Sequence, residues 1–152
     1  MMSEFVCFNS PIGWLRLVAN ENALIKIEFV DEPGRTDTSL EILQKTVQQL
    51  SEYFAGTRQH FDVPLEMHGT DFQRAVWQAL RQIPFGKTVS YKDIAVAIHN
   101  PKAVRAVGQA NGRNPVPIIV PCHRVVAANG KLGGFSSGLW RKEWLLKHER
   151  AL

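Results

Sequence analysis

The spacing of apolar residues changes character once along the chain, near residues 66–69, and this limits the folds open to it. Before that point, Phe5–Phe8, Leu15–Ala19 and Leu24–Phe29 are short apolar or alternating runs. They are separated by the turn-prone Asn9-Ser10-Pro11-Ile12-Gly13 and Asn20-Glu21-Asn22, a pattern that predicts an antiparallel meander. Asp31–Asp37 is polar, contains Pro-Gly and reads as a loop. From Ser39 onward Leu40, Leu43, Val47, Leu50 and Phe54 recur at steps of three or four, which predicts an amphipathic helix ending near Gly56. His60–Leu65 can add one further strand, and Glu66–Gly69 reads as a linker.

Beyond the linker the period is helical. Thr70-Asp71-Phe72-Gln73 has the capping-box pattern and opens a helix through Ile83, closed by Pro84-Phe85-Gly86. A second helix is expected from Ser90, with Asp93 three positions on, to about Ile98. Asn100-Pro101 reads as an N-cap followed by proline at the first helical position, with the next helix reaching about Asn111. Two short helices joined by a tight turn fit a helix-turn-helix and equally an ordinary bundle. Ala103, Ala106, Gly108 and Ala110 leave the second of these helices with a small-residue surface. Such a surface suits close approach to DNA or close packing of another helix. The fold class expected is α/β (α+β): residues 1–69 form a small N-terminal antiparallel β-sheet domain with a helix. Residues 70–152 form a mainly helical C-terminal domain.

Charge divides at the same place. The net charge of +4 splits into −5 over residues 1–70 and +9 over residues 71–152. A basic half beside an acidic one suits a surface facing a polyanion, most simply nucleic acid, although a basic face also serves solubility. Hydrophobic residues at 45% and charged residues at 21% exclude wholesale disorder. No apolar run has the length of a membrane span, and Met1–Asn9 lacks the pattern of a signal or transit peptide, so a cytoplasmic protein without membrane contact is expected. Of the two cysteines, Cys7 and Cys122, neither is needed for a disulfide in an intracellular chain of this size.

The second cysteine stands in unusual company. Asn114-Pro115-Val116-Pro117-Ile118-Ile119-Val120-Pro121 is an apolar run framed by prolines, expected to be buried and extended, and it delivers Cys122 beside His123 and Arg124. A thiol attacks as its thiolate, and a neighbouring imidazole is the common acceptor for its proton. Adjacent side chains of an extended strand point to opposite sides, so the dipeptide also fits a structural cysteine. A glycine-rich loop, Gly130–Gly138, and a final helix, Trp140–His148 followed by Glu149, complete the chain.

Taken together, Arg105-Ala106-Val107-Gly108, Asn111-Gly112, Asn114-Pro115, Pro121-Cys122-His123-Arg124-Val125, Gly133-Gly134-Phe135 and Lys142-Glu143-Trp144-Leu145-Leu146 closely resemble the O6-alkylguanine-DNA alkyltransferases, the methylated-DNA-protein-cysteine methyltransferases. The likeness is strong from about Phe72 to Glu149. It is weaker over residues 1–70, where Ser10-Pro11-Ile12-Gly13 and Tyr53-Phe54-Ala55-Gly56 fit the family's variable N-terminal domain.

The resemblance implies DNA repair by a single irreversible transfer of an alkyl group from O6-alkylguanine to Cys122, without a cofactor. A soft thiolate suits displacement at an alkyl carbon, and the thioether leaves no route back. By the same likeness His123 draws the thiol proton through a water and Glu149 orients the imidazole, as in triad chemistry. Asn114 supports the geometry, and Tyr91 donates to the departing purine. The substrate is double-stranded DNA bound through the minor groove, with the nucleotide flipped out of the stack. Arg105 takes the place of the flipped base; by residue type alone it also fits a phosphate contact or a surface ion pair. Ala106, Gly108 and Ala110 complete the DNA-binding set, and Val125, Phe135 and Ser136 hold the base. Many family members carry tyrosine where this chain has Phe135, so stacking is kept and a hydroxyl contact is lost. Cys7 lacks a second nearby cysteine, so no metal is expected, and the protein is expected to be a monomer without DNA. Two other functions compete: a lesion-binding relative that does no chemistry, against which Cys122 stands, and a Cys-His hydrolase, for which no other residue speaks.

Overall fold

The computed structural model describes residues 3–152, which fall into two compact units, the first ending at His68 and the second spanning Gly69–Leu152. In the first, β1 (Glu4–Ser10), β2 (Gly13–Ala19) and β3 (Leu24–Val30) form an antiparallel sheet in the order β1-β2-β3. The alternation in β2 turns Leu15, Leu17 and Ala19 inward and leaves Arg16 outside. Both turns are closed by side chains. Ser10 Oγ donates to the Gly13 carbonyl and accepts from Ile12 N–H, and Asn20 Oδ1 accepts from the N–H groups of Asn22 and Ala23.

Helix α1 (Glu41–Phe54) covers the sheet with Leu43, Leu50 and Tyr53. It ends two residues before Gly56, whose φ of +84° breaks the helical path. The expected strand at His60–Leu65 is absent. Only Leu65 bridges to Leu24, through bonds from Leu24 N–H to the Pro64 carbonyl and from Glu66 N–H to the Leu24 carbonyl. Pro64 has no N–H with which to extend a ladder.

The second unit is built from α2 (Asp71–Leu80), α3 (Tyr91–Ala97), α4 (Val104–Gly112) and α5 (Leu139–His148). Helices α2, α3 and α4 pack on one another, with Val76, Trp77, Leu80, Ile94, Ala95 and Val107 in the core. Both capping boxes form in full, Thr70 with Gln73 and Ser90 with Asp93. Helix α2 stops at Leu80 rather than Ile83, because the last turn tightens into bonds from Gln82 N–H to Ala79 and from Ile83 N–H to Leu80.

The start of α4 also differs from expectation. Asn100-Pro101-Lys102-Ala103 is a turn closed by Ala103 N–H on the Asn100 carbonyl, and the helix begins at Val104. The fixed φ of proline serves the second position of a β-turn as well as the first of a helix. A short parallel pair, β4 (Val89–Ser90) with β5 (Val125–Val126), sets the first residue of α3, Tyr91, beside the chain that follows Cys122.

Candidate active site

The proline-framed run before Cys122 is buried as expected, but it is folded on itself rather than extended. Val120 N–H returns to the Val116 carbonyl, Cys122 N–H to the Val120 carbonyl, and Ile118 sits at φ +76°. Asn114 holds both ends: its Oδ1 accepts from Val116 N–H at 3.0 Å and its Nδ2 donates to the Val120 carbonyl at 2.8 Å. Cys122, His123 and Arg124 then form a single 3-10 turn. The alternation expected of a strand is thereby lost.

Cys122 is 5% exposed and lines a cleft of about 500 Å³ together with Tyr91, Gly108, Asn111, Gly112, Gly134, Phe135 and Ser136. The sequence-predicted Cys122, Tyr91, Gly108, Phe135 and Ser136 therefore meet around one opening. Burial pushes the thiol up to about 11, against the pull of an Asn114 hydrogen bond and the Lys142 ammonium. The resting sulfur at neutral pH is a thiol, and chemistry there requires a base.

The next residue carries an imidazole. His123 is fully buried, and its Nε2 lies 2.7 Å from Glu149 Oε2. Burial lowers its pKa below the ordinary value despite the carboxylate, so the ring is neutral and able to accept a proton. Its Nδ1 has no hydrogen-bond partner among the described residues. Glu149 caps the end of α5. Burial alone would raise its carboxyl, but the bonds and charges of His123 and Arg124 outweigh this and hold it well below the usual carboxylate range.

Tyr91 is set by its surroundings. A Cβ on Gly133, itself at φ +75°, would lie 2.8 Å from the tyrosine hydroxyl, and one on Gly108 would lie 3.9 Å from the ring. Burial raises its pKa, against a backbone hydrogen bond from Gly134. Val125 is buried, and its carbonyl accepts from Lys142 Nζ at 2.6 Å. Arg105 and Ala106 lie exposed on α4. Ala110, on the same helix, is buried, its carbonyl accepts the Trp77 indole N–H at 2.9 Å, and it lines a smaller cleft with Ala106, Gln109 and Arg113.

Three further residues stand in the motif runs but carry no role in the sequence reading. Arg124 donates to Glu149 Oε1 at 2.8 Å, to Oε2 at 3.1 Å and to the Ile83 carbonyl at 2.7 Å. Lys142 is buried, bonds the carbonyls of Val125 and Gly134, and is lowered by burial to about 8. Asn111 is 4% exposed in the cleft wall. The signal available for Arg124 was a cation beside the apolar run Val116–Val120 and Val125–Val126, whereas Lys142, between Arg141 and Glu143, carried none.

Comparison with known proteins agrees with this architecture. Residues 71–151 match the family model for the 6-O-methylguanine DNA methyltransferase DNA binding domain, and residues 5–67 match the model for the ribonuclease-like domain of the same proteins. A methylated-DNA--protein-cysteine methyltransferase of Methanosarcina acetivorans is 48% identical, over 95% of this chain and 97% of its own. One from Mycobacterium tuberculosis is 46% identical over 99% of this chain and 94% of its own. The crystal structure of Mycobacterium tuberculosis O6-methylguanine methyltransferase superposes with a TM-score of 0.89 at 43% identity, covering 99% of this chain and 94% of that one. The same organism's OGT in complex with DNA also gives 0.89, at 44% identity over 97% and 92% of the two chains. With both family models matched along almost its whole length and relatives close to half identical, the chain belongs to the 6-O-methylguanine DNA methyltransferase family, the methylated-DNA-protein-cysteine methyltransferases.

Proposed function

We propose that this chain repairs double-stranded DNA by moving an alkyl group from the O6 atom of guanine to its own Cys122, once per molecule and without a cofactor. The observation that carries this reading is the buried Cys122 thiol in the wall of a base-sized cleft, next in sequence to a neutral imidazole backed by a carboxylate. His123 takes the thiol proton through a bridging water. Its Nδ1 is the nitrogen available for this, since Nε2 is engaged by Glu149. The thiolate attacks the alkyl carbon; the S–C bond forms, the C–O6 bond breaks, and the electron pair stays on the guanine, which Tyr91 protonates. Glu149 compensates the imidazolium charge, and Arg124 holds Glu149 in place.

The target atom is out of reach inside a duplex, so the nucleotide is flipped into the cleft. Val125, Phe135 and Ser136 hold it there and Arg105 fills the space it leaves. Exposed Arg105 and Ala106, with Gly108, present α4 to the minor groove, and α3 and α4 act as a helix-turn-helix. A relative of similar fold solved in complex with DNA supports DNA binding. The chain acts as a cytoplasmic monomer of two domains, residues 1–69 and 70–152, with the second carrying the chemistry.

Mass spectrometry of the protein after incubation with a duplex containing one O6-methylguanine tests the proposal. One methyl on the peptide bearing Cys122, with guanine restored in equal amount, is the expected result. Binding without any gain in mass, or methyl transfer by Cys122→Ala, would overturn it.

A further inference from the structure

Helix α4 has a concave flank on either side, and the chemistry above uses one of them. At 3.6 residues per turn, Gly108, Asn111 and Gly112 fall on the flank that lines the Cys122 cleft. Ala106, Ala110 and, at the C-cap, Arg113 fall on the other, with exposed Arg105 and Gln109 on the crest between. This second flank is one wall of a separate cleft of about 260 Å³, whose opposite wall is Thr70, Phe72 and Gln73 at the start of α2.

The polar groups gathered there are donors. Arg113 is exposed, and its guanidinium has neither an ion pair nor a hydrogen bond among the described residues. Gln73 Oε1 is taken by the Thr70 N–H at 2.9 Å, which leaves the Nε2 amine to donate, and Gln109 adds a second amide. Asp71, at the first position of α2, is held in an ion pair by Arg74, which offsets its charge. A free guanidinium beside two amide donors suits the oxygens of a phosphodiester.

Placement on α4 says which phosphodiester. A helix lying in the minor groove has one strand along each flank. The flank with Cys122 faces the damaged strand, because the extruded nucleotide enters there and stays joined to its backbone. The flank with Arg113 then faces the undamaged strand.

We propose that the cleft between α2 and α4 seats a backbone phosphate of the undamaged strand, with Arg113 as its charged partner and Gln109 and Gln73 donating beside it. The inference rests on the alkyl-transfer reading and deepens it. A grip on both strands holds the duplex across α4 while the nucleotide leaves the stack, and it reads no base sequence. Arg113 also ends α4, where a cation meets the helix dipole. A role confined to that end would show as a lower Tm and equal slowing on every substrate.

The test is single-turnover methyl transfer at sub-saturating protein, read as mass gained on the Cys122 peptide, from one O6-methylguanine strand either alone or paired with its complement. Arg113→Gln is expected to slow the duplex reaction about tenfold, the range of one hydrogen bond to a charged group, and to leave the single-strand reaction within about twofold. The slope of log rate against log salt on the duplex is expected to fall by about one, whereas Arg113→Lys, which keeps the charge, keeps the slope. Replacing single phosphates of the undamaged strand by neutral methylphosphonates locates the contact. At one position the wild-type protein slows as Arg113→Gln does, and the variant loses nothing more. Equal slowing of duplex and single strand overturns the assignment, and so does sensitivity confined to phosphates of the damaged strand. Failure of the wild-type protein to methylate Cys122 from either substrate would instead remove the alkyl-transfer reading itself.

Discussion

Replacing Arg124 by methionine removes a cation while roughly keeping the volume of its stem. In the folded protein this guanidinium donates to both Glu149 oxygens, at 2.8 and 3.1 Å, and to the Ile83 carbonyl at 2.7 Å, with the two side chains 7% and 0% exposed. Breaking a buried pair from one side leaves an uncompensated charge and costs about 3–5 kcal/mol. In a chain of this length that lowers Tm by about 10 °C or more. Glu149 keeps only the imidazole among these partners, so its pKa rises toward the ordinary value.

The sign of the pH effect follows from Glu149's lowered pKa. The wild-type carboxylate adds stability that is fully present above its ordinary value of 4.5 and is lost as pH falls toward the lower folded value. In Arg124→Met that contribution is much reduced, so the difference between the two proteins is largest at neutral pH and shrinks as pH falls through about 4. Urea unfolding at several pH values measures it. A loss under about 1 kcal/mol at neutral pH, or a difference that does not change down to acid, would refute the view that this pair is a desolvated charge network.

Two further changes probe the cleft and the helix beside it. Gly133→Ala places a methyl 2.8 Å from the Tyr91 hydroxyl at a φ of +75° that alanine rarely adopts, so it should displace the ring and slow methyl transfer at least about tenfold, measured in single-turnover assays. An unchanged rate would remove Tyr91 from the chemistry. Arg105→Ala should weaken repair of duplex DNA more than reaction with the free O6-alkylguanine base, since only the duplex requires extrusion. Equal loss on both substrates, in parallel rate assays, would assign Arg105 a structural role.

What the sequence made legible was local or periodic. The Thr70–Gln73 and Ser90–Asp93 caps lie within one helical turn, and both form as their spacing predicts. The meander follows from alternation and turn residues, and the Cys-His-Arg signature sits in one run of chain. Asn100-Pro101 misled because its chemistry fits a turn and a helix start equally well. The contour around Cys122 was not legible, because its bend depends on Asn114 reaching six residues ahead to the Val120 carbonyl. Arg124 and Lys142 went unassigned for a related reason. A buried cation is explained only by its partners, and these lie 25 residues away at Glu149 and 17 residues away at Val125. That Ala110 is buried while Arg105 and Ala106 are exposed was not legible, because a small residue carries no mark of how far its neighbours cover it.

The positive φ of Ile118 has a consequence for Asn114. A β-branched residue in the left-handed region is strained by about 1–3 kcal/mol, and that conformation persists only while its surroundings impose it. The two amide bonds of Asn114 fall on either side of it, at Val116 and Val120, so this one side chain works as a latch across a loaded spring whose far end carries Cys122. A latch of this kind needs a donor and an acceptor at once. Aspartate, almost the same size, can hold the Val116 amide but has no hydrogen to offer the Val120 carbonyl, and would leave the spring half released.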